Sequence, residues 1–119
     1  MDYRLKKRDR IRSRKEIVLL LKSGKRFENK EFKIVLKERE KNSRIGVSIK
    51  RNIVNSVKRN RIRRVLKEIF RKNREKLKKD YDIFIIVKKD ISSKTYDEIE
   101  NNFFTLLAKG EALKNVKKD

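Results

Sequence analysis

The stretch that decides the predicted fold runs from residue 56 to residue 71 and reads SVKRNRIRRVLKEIFR. From Ile62 onward, its apolar side chains recur at helical spacing and, together with Leu77, fall within an arc of about 140° on a helical wheel. The pattern predicts one long amphipathic helix from about Ser56 to Lys79, with Asn55 or Ser56 as its N-cap. The apolar positions of this helix are Ile62, Val65, Leu66, Ile69, Phe70 and Leu77.

Strand patterns lie on both sides of this predicted helix. Before it, residues 32–37 and 45–50 alternate in a way that is typical of half-buried strands. The polar residues 39–44 between them predict a turn that joins the two strands as a hairpin. After the helix, residues 81–88 have a continuous apolar centre, which predicts a central strand covered by helices on both faces.

Two capping boxes mark the outer helices. Ser13 with Glu16 predicts the start of a first helix that Gly24 ends. Thr95 with Glu98 predicts the start of a last helix, which ends near Gly110.

The order of elements, α-β-β-α-β-α, predicts one α+β sandwich domain over residues 1–119, with helices packed on a small sheet. The first and last helices need not cover the same face of that sheet. A basic N-terminal arm, residues 1–12, and a short C-terminal tail from about residue 111 are expected to flank the packed elements.

Positive charge is concentrated in the first two thirds of the chain. The protein has 38 Lys and Arg against 17 Asp and Glu, a net charge of +21. Residues 1–79 hold 31 basic and 9 acidic side chains, whereas residues 80–119 hold 7 and 8. Because such self-repulsion opposes folding, the excess indicates a surface that binds a polyanion, with nucleic acid favoured over an anionic membrane surface.

The composition excludes several kinds of chemistry. Without cysteine or histidine, the chain cannot form a disulfide framework, a thiol or serine triad, or the usual zinc sites. The longest apolar run, Ile83 to Val87, is far shorter than the ~20 residues that span a bilayer, and no secretory signal follows the basic N-terminus. We therefore expect a cytoplasmic protein without the usual metal sites, in which any catalysis would have to rest on carboxylates, Lys or Tyr.

Cations crowd the first turn of the long helix. Lys58, Arg59 and Arg61 lie where the helix dipole ordinarily favours acidic residues. Sequences break a local rule most often at functional sites, and a helix N-terminus surrounded by Arg is suited to bind phosphate. Farther along the helix, an ordinary solvated face accounts for Arg64, Lys67, Arg71 and Lys78.

The same helix carries a specific motif. With Arg59-Asn60-Arg61 at its core, the 56–71 stretch resembles the RNR motif helix of the bacterial ribonuclease P protein subunit family, and residues 44–51 resemble the strand before it. Residues 5–11 with the first helix, and residues 81–83 and 96–98, are similar as well. The resemblance therefore covers nearly the whole chain in the right order.

This resemblance implies a fold like the second domain of a small-subunit ribosomal protein, with a left-handed β-α-β crossover. It implies a protein subunit of ribonuclease P, the endoribonuclease that removes the 5′ leader of precursor tRNA. The expected partners are the catalytic ribonuclease P RNA and precursor tRNA, with no obligatory protein partner. It also implies that the RNA subunit holds most of the Mg²⁺ and the catalytic centre.

The resemblance assigns two sets of site residues by position. One set contacts the catalytic RNA and the other lines a cleft for the 5′ leader, between the first helix and the sheet. The RNA-binding residues implied are Arg8, Arg10, Lys50, Arg51, Asn55, Lys58, Arg59, Asn60, Arg61, Arg63 and Arg64. The leader-cleft residues implied are Ile17, Leu21, Phe32 and Val35.

The chain departs from the family pattern at two places. Aromatic side chains often line the family's cleft, whereas Ile17, Leu21 and Val35 are aliphatic here, so that base stacking by aromatics is lost. Phe27, Phe32 or cations are expected to contact the leader instead. Val54 stands where the family usually has Gly, so the turn into the helix is expected to differ.

Two other functions remain open at this point. A ribosomal or ribosome-assembly RNA-binding protein would fit the same charge and fold class. A protein-only nuclease would need clustered carboxylates for two metal ions. The acids of this chain lie mainly outside the basic stretch, at Asp80, Asp82, Asp90, Asp97, Glu98 and Glu100.

The charge distribution generates a prediction about folding. Repulsion among the cations should consume much of the few kcal/mol available to a domain of this size, and an anion that binds only the folded state restores stability. We expect the isolated protein to be partly unfolded in low-salt buffer and to gain helix on addition of sulfate, phosphate or short oligonucleotides, with multivalent anions acting at far lower concentration than chloride. Circular dichroism titrations measure this, and full helicity in dilute buffer that pyrophosphate leaves unchanged would contradict it.

Overall fold

A computed structural model of the protein describes residues 5–114, which form one mixed α+β domain of three α-helices and four strands. In chain order the elements are α1 (Arg14–Ser23), β1 (Lys25–Glu28), β2 (Phe32–Glu38), β3 (Arg44–Ile49), α2 (Ser56–Asn73), β4 (Tyr81–Val87) and α3 (Tyr96–Lys109). The predicted fold class is confirmed. No helix within the described range has the length and apolar character needed to cross a membrane.

The sheet is built around β4, the strand with apolar side chains on both faces. The strand order is β1-β2-β4-β3, with β4 antiparallel to β2 and parallel to β3. The prediction of a central strand at residues 81–88 is therefore confirmed. The helix α2 connects the adjacent parallel strands β3 and β4, and the left-handed sense of this crossover stays a prediction.

The predicted hairpin between β2 and β3 is wrong. Residues 39–44 instead carry the chain past the start of β4, which lies between the two strands. A strand that is apolar on both sides gains most from the interior position, where each of its edges pairs and each of its faces is covered. The polar residues 39–44 could not indicate that β4, which comes later in the chain, would lie between β2 and β3 in the sheet.

The hairpin of this sheet joins β1 to β2 instead, and the sequence patterns did not predict β1. Three of its four residues are charged, so it has no apolar alternation. Its turn is fixed by the Asn29 side chain, whose oxygen accepts hydrogen bonds from the backbone N–H groups of Glu31 and Phe32 at 2.9 Å each. Phe27 then lies opposite Ile34 on the core side of the sheet.

The two faces of the sheet have separate cores. Helices α2 and α3 cover one face, where Ile34, Ile85 and Phe103 are almost fully buried in the larger cluster, which we call the main core. Helix α1 covers part of the other face, where a smaller cluster forms from Ile11, Leu20, Val35 and Phe84. The first and last helices thus lie on opposite faces.

One helix boundary differs from the sequence prediction. Helix α2 ends at Asn73, because the buried Asn73 amide donates to the Ile69 carbonyl oxygen and to Glu100 Oε2 at 2.8 Å each, and a 3-10 turn follows over Arg74–Lys76. Leu77 therefore leaves the helix and bridges to Leu113.

The predicted caps are present, with one difference. Asn55 and Ser13 accept hydrogen bonds from the N–H groups of Lys58 and Glu16, and Thr95 with Glu98 forms a complete capping box. The Glu16 carboxylate does not complete the box at Ser13. It binds the Arg44 guanidinium instead, at 3.2 Å.

Both chain ends pack against the domain within the described range. In the N-terminal arm, Ile11 donates its N–H to the Ile45 carbonyl oxygen at 2.9 Å. In the tail, Ala112 is fully buried. Residues 1–4 of the predicted arm and residues 115–119 of the predicted tail lie outside the described residues.

A network of charged groups joins β3, β4 and α1. Arg44 Nε and Nη2 donate to the two Asp82 carboxylate oxygens at 2.8 and 2.9 Å, and Arg39 Nη1 donates to Asp82 Oδ1 at 3.1 Å. Burial raises the pKa of the Asp82 carboxyl, but the hydrogen bonds from Arg44 and Arg39 outweigh burial and hold this pKa below its ordinary value. Arg44 thereby links the sheet to Glu16 of α1.

We expect Asp82→Asn to lower the free energy of unfolding at pH 7 by about 1–3 kcal/mol. The substitution removes charge-assisted hydrogen bonds and leaves Arg44 with Glu16 as its remaining carboxylate partner. Glu38→Gln is the matched control, since its ion pair with Lys79 is largely exposed and should contribute less than about 1 kcal/mol. Urea unfolding at constant sulfate concentration measures both values. Equal effects of the two substitutions would show that the network does not hold the sheet and α1 together.

The same network predicts a dependence on pH. Because the folded-state pKa of Asp82 lies below the unfolded value, its stabilisation is fully present above about pH 4 and is lost as the pH falls through the folded-state value. The stability difference between the native protein and Asp82→Asn should stay constant at neutral pH and shrink in acid. A difference that grew on acidification would contradict this assignment.

Candidate nucleic-acid interface

The N-terminus of α2 begins the candidate interface. Asn55 caps the helix by accepting a hydrogen bond from the Lys58 N–H at 2.9 Å, and no acidic residue lies in the first turn. Lys58 and Asn60 are exposed there. The helix dipole and the cations of the first turn therefore add to one positive surface.

Arg59 fixes the loop that leads into the helix. Its Nη1 donates to the carbonyl oxygens of Arg51 and Val54 at 3.1 and 3.0 Å. Val54 itself is buried in the main core. The sequence showed only that Val54 replaces a glycine usual in the family, and it did not predict this burial. Lys50 and Arg51 remain exposed on this loop beside the helix start.

Arg61 ties the opposite side of the same turn to the loop before α3. Its Nη1 donates to the Ser92 carbonyl oxygen at 2.9 Å. Both arginines of the motif thus hold main-chain groups of this protein, a role that the sequence did not predict. The Asn60 side chain between them makes no hydrogen bond within residues 5–114 and faces solvent.

The remaining cations predicted for RNA binding lie along α2 and the arm beside it. Arg64 is exposed and Arg63 is half-buried on the helix. Arg10 is half-buried and pairs with Ile45 in a parallel bridge, while Arg8 is exposed on the 3-10 turn before it. The structure therefore extends the positive surface from the helix start to the N-terminal arm.

The predicted leader cleft is only partly supported. Ile17 and Leu21 are half-buried on α1 and contact the smaller core. Val35 points towards α1 as predicted but is fully buried beneath it, so it packs in that core and cannot line an open cleft. Phe32 is also wrong as a cleft residue, because it is fully buried on the opposite face of the sheet, in the main core.

Other residues border the part of the sheet that α1 leaves open. Lys33 of β2 and Ser48 of β3 lie on either side of Ile86 in β4, and all three are half-buried. Their positions alternate with the main-core residues, so they face the side of α1. The alternation of side chains along the strands predicts that Lys33 and Ser48 face this side. Only the strand order in the structure places both residues beside Ile86.

The acidic residues form no separate centre in the part of the chain that the structure describes. No group of three or more acidic side chains there is arranged to hold a metal ion. Several of these carboxylates pair with cations, as in the contacts of Asp9 with Arg74 and of Asp82 with Arg44. The geometry thus offers a cationic surface for a polyanion rather than a carboxylate site.

Comparison with known proteins agrees with this geometry. Residues 5–111 match the family model for ribonuclease P. The ribonuclease P protein component of Syntrophus aciditrophicus is 40% identical over 88% of this chain and 89% of its own length. That of Finegoldia magna is 38% identical over 77% of this chain and 81% of its own.

A solved structure shows the same fold. The RNase P protein from Thermotoga maritima superimposes with a TM-score of 0.75 at 28% identity, over 84% of this chain and 96% of that one. Both the sequence and the arrangement of helices and strands are thus shared across nearly the whole domain, and this chain belongs to the ribonuclease P protein component family.

Proposed function

We propose that this chain is the protein subunit of a ribonuclease P ribonucleoprotein that acts in the cytoplasm. It binds the catalytic RNA through the positive surface of α2 and the arm, and it helps to remove the 5′ leader of precursor tRNA. The observation that supports this most directly is the first turn of α2, where Asn60 and Lys58 are exposed while Arg59 and Arg61 anchor the turn. Family membership favours this function over a ribosomal or assembly role.

The endonuclease reaction is expected to belong to the holoenzyme. The side chains of residues 5–114 do not fit a Mg²⁺ centre, so we assign the Mg²⁺ ions mainly to the RNA subunit. The protein's own contribution is to neutralise phosphate repulsion and to position the substrate. No obligatory protein partner is needed for this role.

The leader of the precursor tRNA is expected to lie on the open side of the sheet, next to α1. There Ile17, Leu21 and Ile86 offer apolar surface, and Lys33 offers a cation. Without an aromatic side chain on this surface, contact depends on aliphatic packing and phosphate pairing rather than on base stacking.

The first test compares cleavage with and without RNA. The purified protein alone should leave precursor tRNA intact, whereas adding it to its ribonuclease P RNA should lower the Mg²⁺ requirement and tighten precursor binding. Gel assays of 5′ leader release at graded Mg²⁺ concentrations measure both effects. Cleavage at the same phosphodiester by RNA-free protein would overturn the proposal, and an RNA reaction unaffected by the protein would do so as well.

The second test uses Asn60, which the fold does not need. Asn60→Ala should weaken binding of the catalytic RNA about 2- to 10-fold, the scale of one neutral hydrogen bond, with no change in thermal stability. Arg61→Ala should cost about 1–3 kcal/mol of binding free energy but also loosens the contact with Ser92. Lys78→Ala, an exposed cation far along the chain from the motif, serves as the control and should leave affinity unchanged.

Filter binding at several salt concentrations completes this test. With six or more phosphate contacts, affinity of the native protein should fall roughly 10³-fold between about 50 and 200 mM salt. If Asn60→Ala and Lys78→Ala had equal effects, or if affinity did not depend on salt, a localised interface at α2 would be ruled out.

A further inference from the structure

The loop between β4 and α3, residues 88–94, contacts the first turn of α2 and carries an acidic residue there. Ile91 anchors this loop in the main core, where it is almost fully buried. Asp90, by contrast, is exposed, and Ser92 is half-buried. A carboxylate beside the motif turn is unexpected, because it opposes the positive field that the turn presents to a polyanion.

Asp90 organises the main chain of this loop through one oxygen atom. Its Oδ1 accepts hydrogen bonds from the Ser92 N–H at 2.8 Å and from the Ser92 hydroxyl at 2.6 Å. The third polar group of Ser92, its carbonyl oxygen, accepts the hydrogen bond from Arg61 Nη1 at 2.9 Å. All three polar groups of Ser92 are therefore engaged, and Ser92 connects Asp90 to the motif turn.

Ser92 fixes one side of the Arg61 guanidinium and leaves the rest of it accessible. Arg61 is exposed, and within residues 5–114 its other N–H groups make no hydrogen bond. The planar guanidinium suits two phosphate oxygens at once. Because a long side chain loses rotamer entropy when an interface immobilises it, an arginine that is held in advance binds at a smaller entropic cost. The Ser92 carbonyl oxygen holds Arg61 in this way without neutralising its charge.

The charge of Asp90 and its geometry have opposite consequences for RNA binding. Hydrogen bonds from the Ser92 hydroxyl and N–H, and to a smaller degree the charge of Lys58, hold the pKa of the Asp90 carboxyl below its ordinary value. The carboxylate is thus ionised at neutral pH and repels phosphate groups. If its charge alone mattered, any neutral residue at position 90 would tighten RNA binding. If the placement of Ser92 matters, a neutral residue without a hydrogen-bond acceptor weakens it.

We propose that Asp90 is a positioning residue for RNA binding, which holds Ser92 so that the Ser92 carbonyl oxygen keeps Arg61 in place for a phosphate group. Asp90 itself does not contact the RNA. This inference rests on the proposed function, because Arg61 acts on the catalytic RNA. Arg59 is held by the other loop, the one that leads into α2. Two separate loops therefore position the two motif arginines, and Asp90 orders one of these loops.

Three substitutions of Asp90 separate its geometry from its charge. Asp90→Asn keeps a side-chain oxygen for Ser92 and removes the charge, so it should bind the catalytic RNA at least as tightly as the native protein. Asp90→Ala removes the same charge together with the oxygen, and should bind about 3- to 10-fold more weakly, the scale of one neutral hydrogen bond. Asp90→Glu keeps the charge but its longer side chain does not form the short turn that Asp forms, so it should also lose affinity. Filter binding measures these affinities, and circular dichroism in sulfate buffer checks the fold.

The Arg61→Ala background distinguishes positioning from a general loss of loop structure. Once Arg61 is absent, the Ser92 carbonyl oxygen has nothing to hold, so Asp90→Ala should cause no further loss of RNA affinity. Glu40→Ala is the charge-matched control, because it removes one exposed carboxylate that has no hydrogen bond or ion pair within the described residues. It should leave RNA affinity within about 2-fold of the native value, as is usual for surface substitutions.

The proposal is overturned if Asp90→Ala and Asp90→Asn bind the RNA alike, or if Asp90→Ala weakens binding equally with and without Arg61. Should Asp90→Ala fail to fold, Asp90→Glu decides, and native affinity of that variant overturns the proposal. If the native protein binds the catalytic RNA and all variants at position 90 bind it equally well, the positioning role fails while the proposed function stands. If the native protein does not bind the RNA at all, the proposed function fails and the role of Asp90 fails with it.

Discussion

The structure depends on burying the two apolar faces of β4 at the same time. Its side chains alternate between the main core, through Ile83 and Ile85, and the smaller core beneath α1, through Phe84. Both edges of the strand are paired, to β2 and to β3. The interior position of β4 fixes which helices lie on which side of the sheet and which part of the sheet stays uncovered.

The cationic helix is joined to this framework by its own arginines. Arg59 and Arg61 donate to main-chain carbonyl oxygens of the two adjoining loops, rather than to carboxylates. Carbonyl partners hold the side chains in place without neutralising them. The protein thus keeps its positive field while ordering the turn that carries it, and the burial of apolar side chains in the two cores offsets the repulsion among its cations.

Because α1 covers only part of its face of the sheet, that face has a buried part and an accessible part. Under the helix, Val35 and Phe84 are packed as core, whereas beyond it Ile86 and Lys33 stay accessible. The Arg44 network with Asp82 and Glu16 holds α1 at this position. The surface proposed for the 5′ leader therefore begins directly where the smaller core ends, on strands rather than on loops.

Local spacing in the sequence determined the long helix, its Asn55 cap, the last helix with its Thr95 box and the doubly apolar strand, because these patterns depend on residues a few positions apart. It also determined the motif turn and the family resemblance. Only the tertiary structure decided the strand order, the charged strand β1 and the burial of Phe32 and Val35, since each depends on partners far apart in the chain. For the same reason the carbonyl contacts of Arg59 and Arg61 follow from the packing of the loops around α2 and from no pattern along the chain.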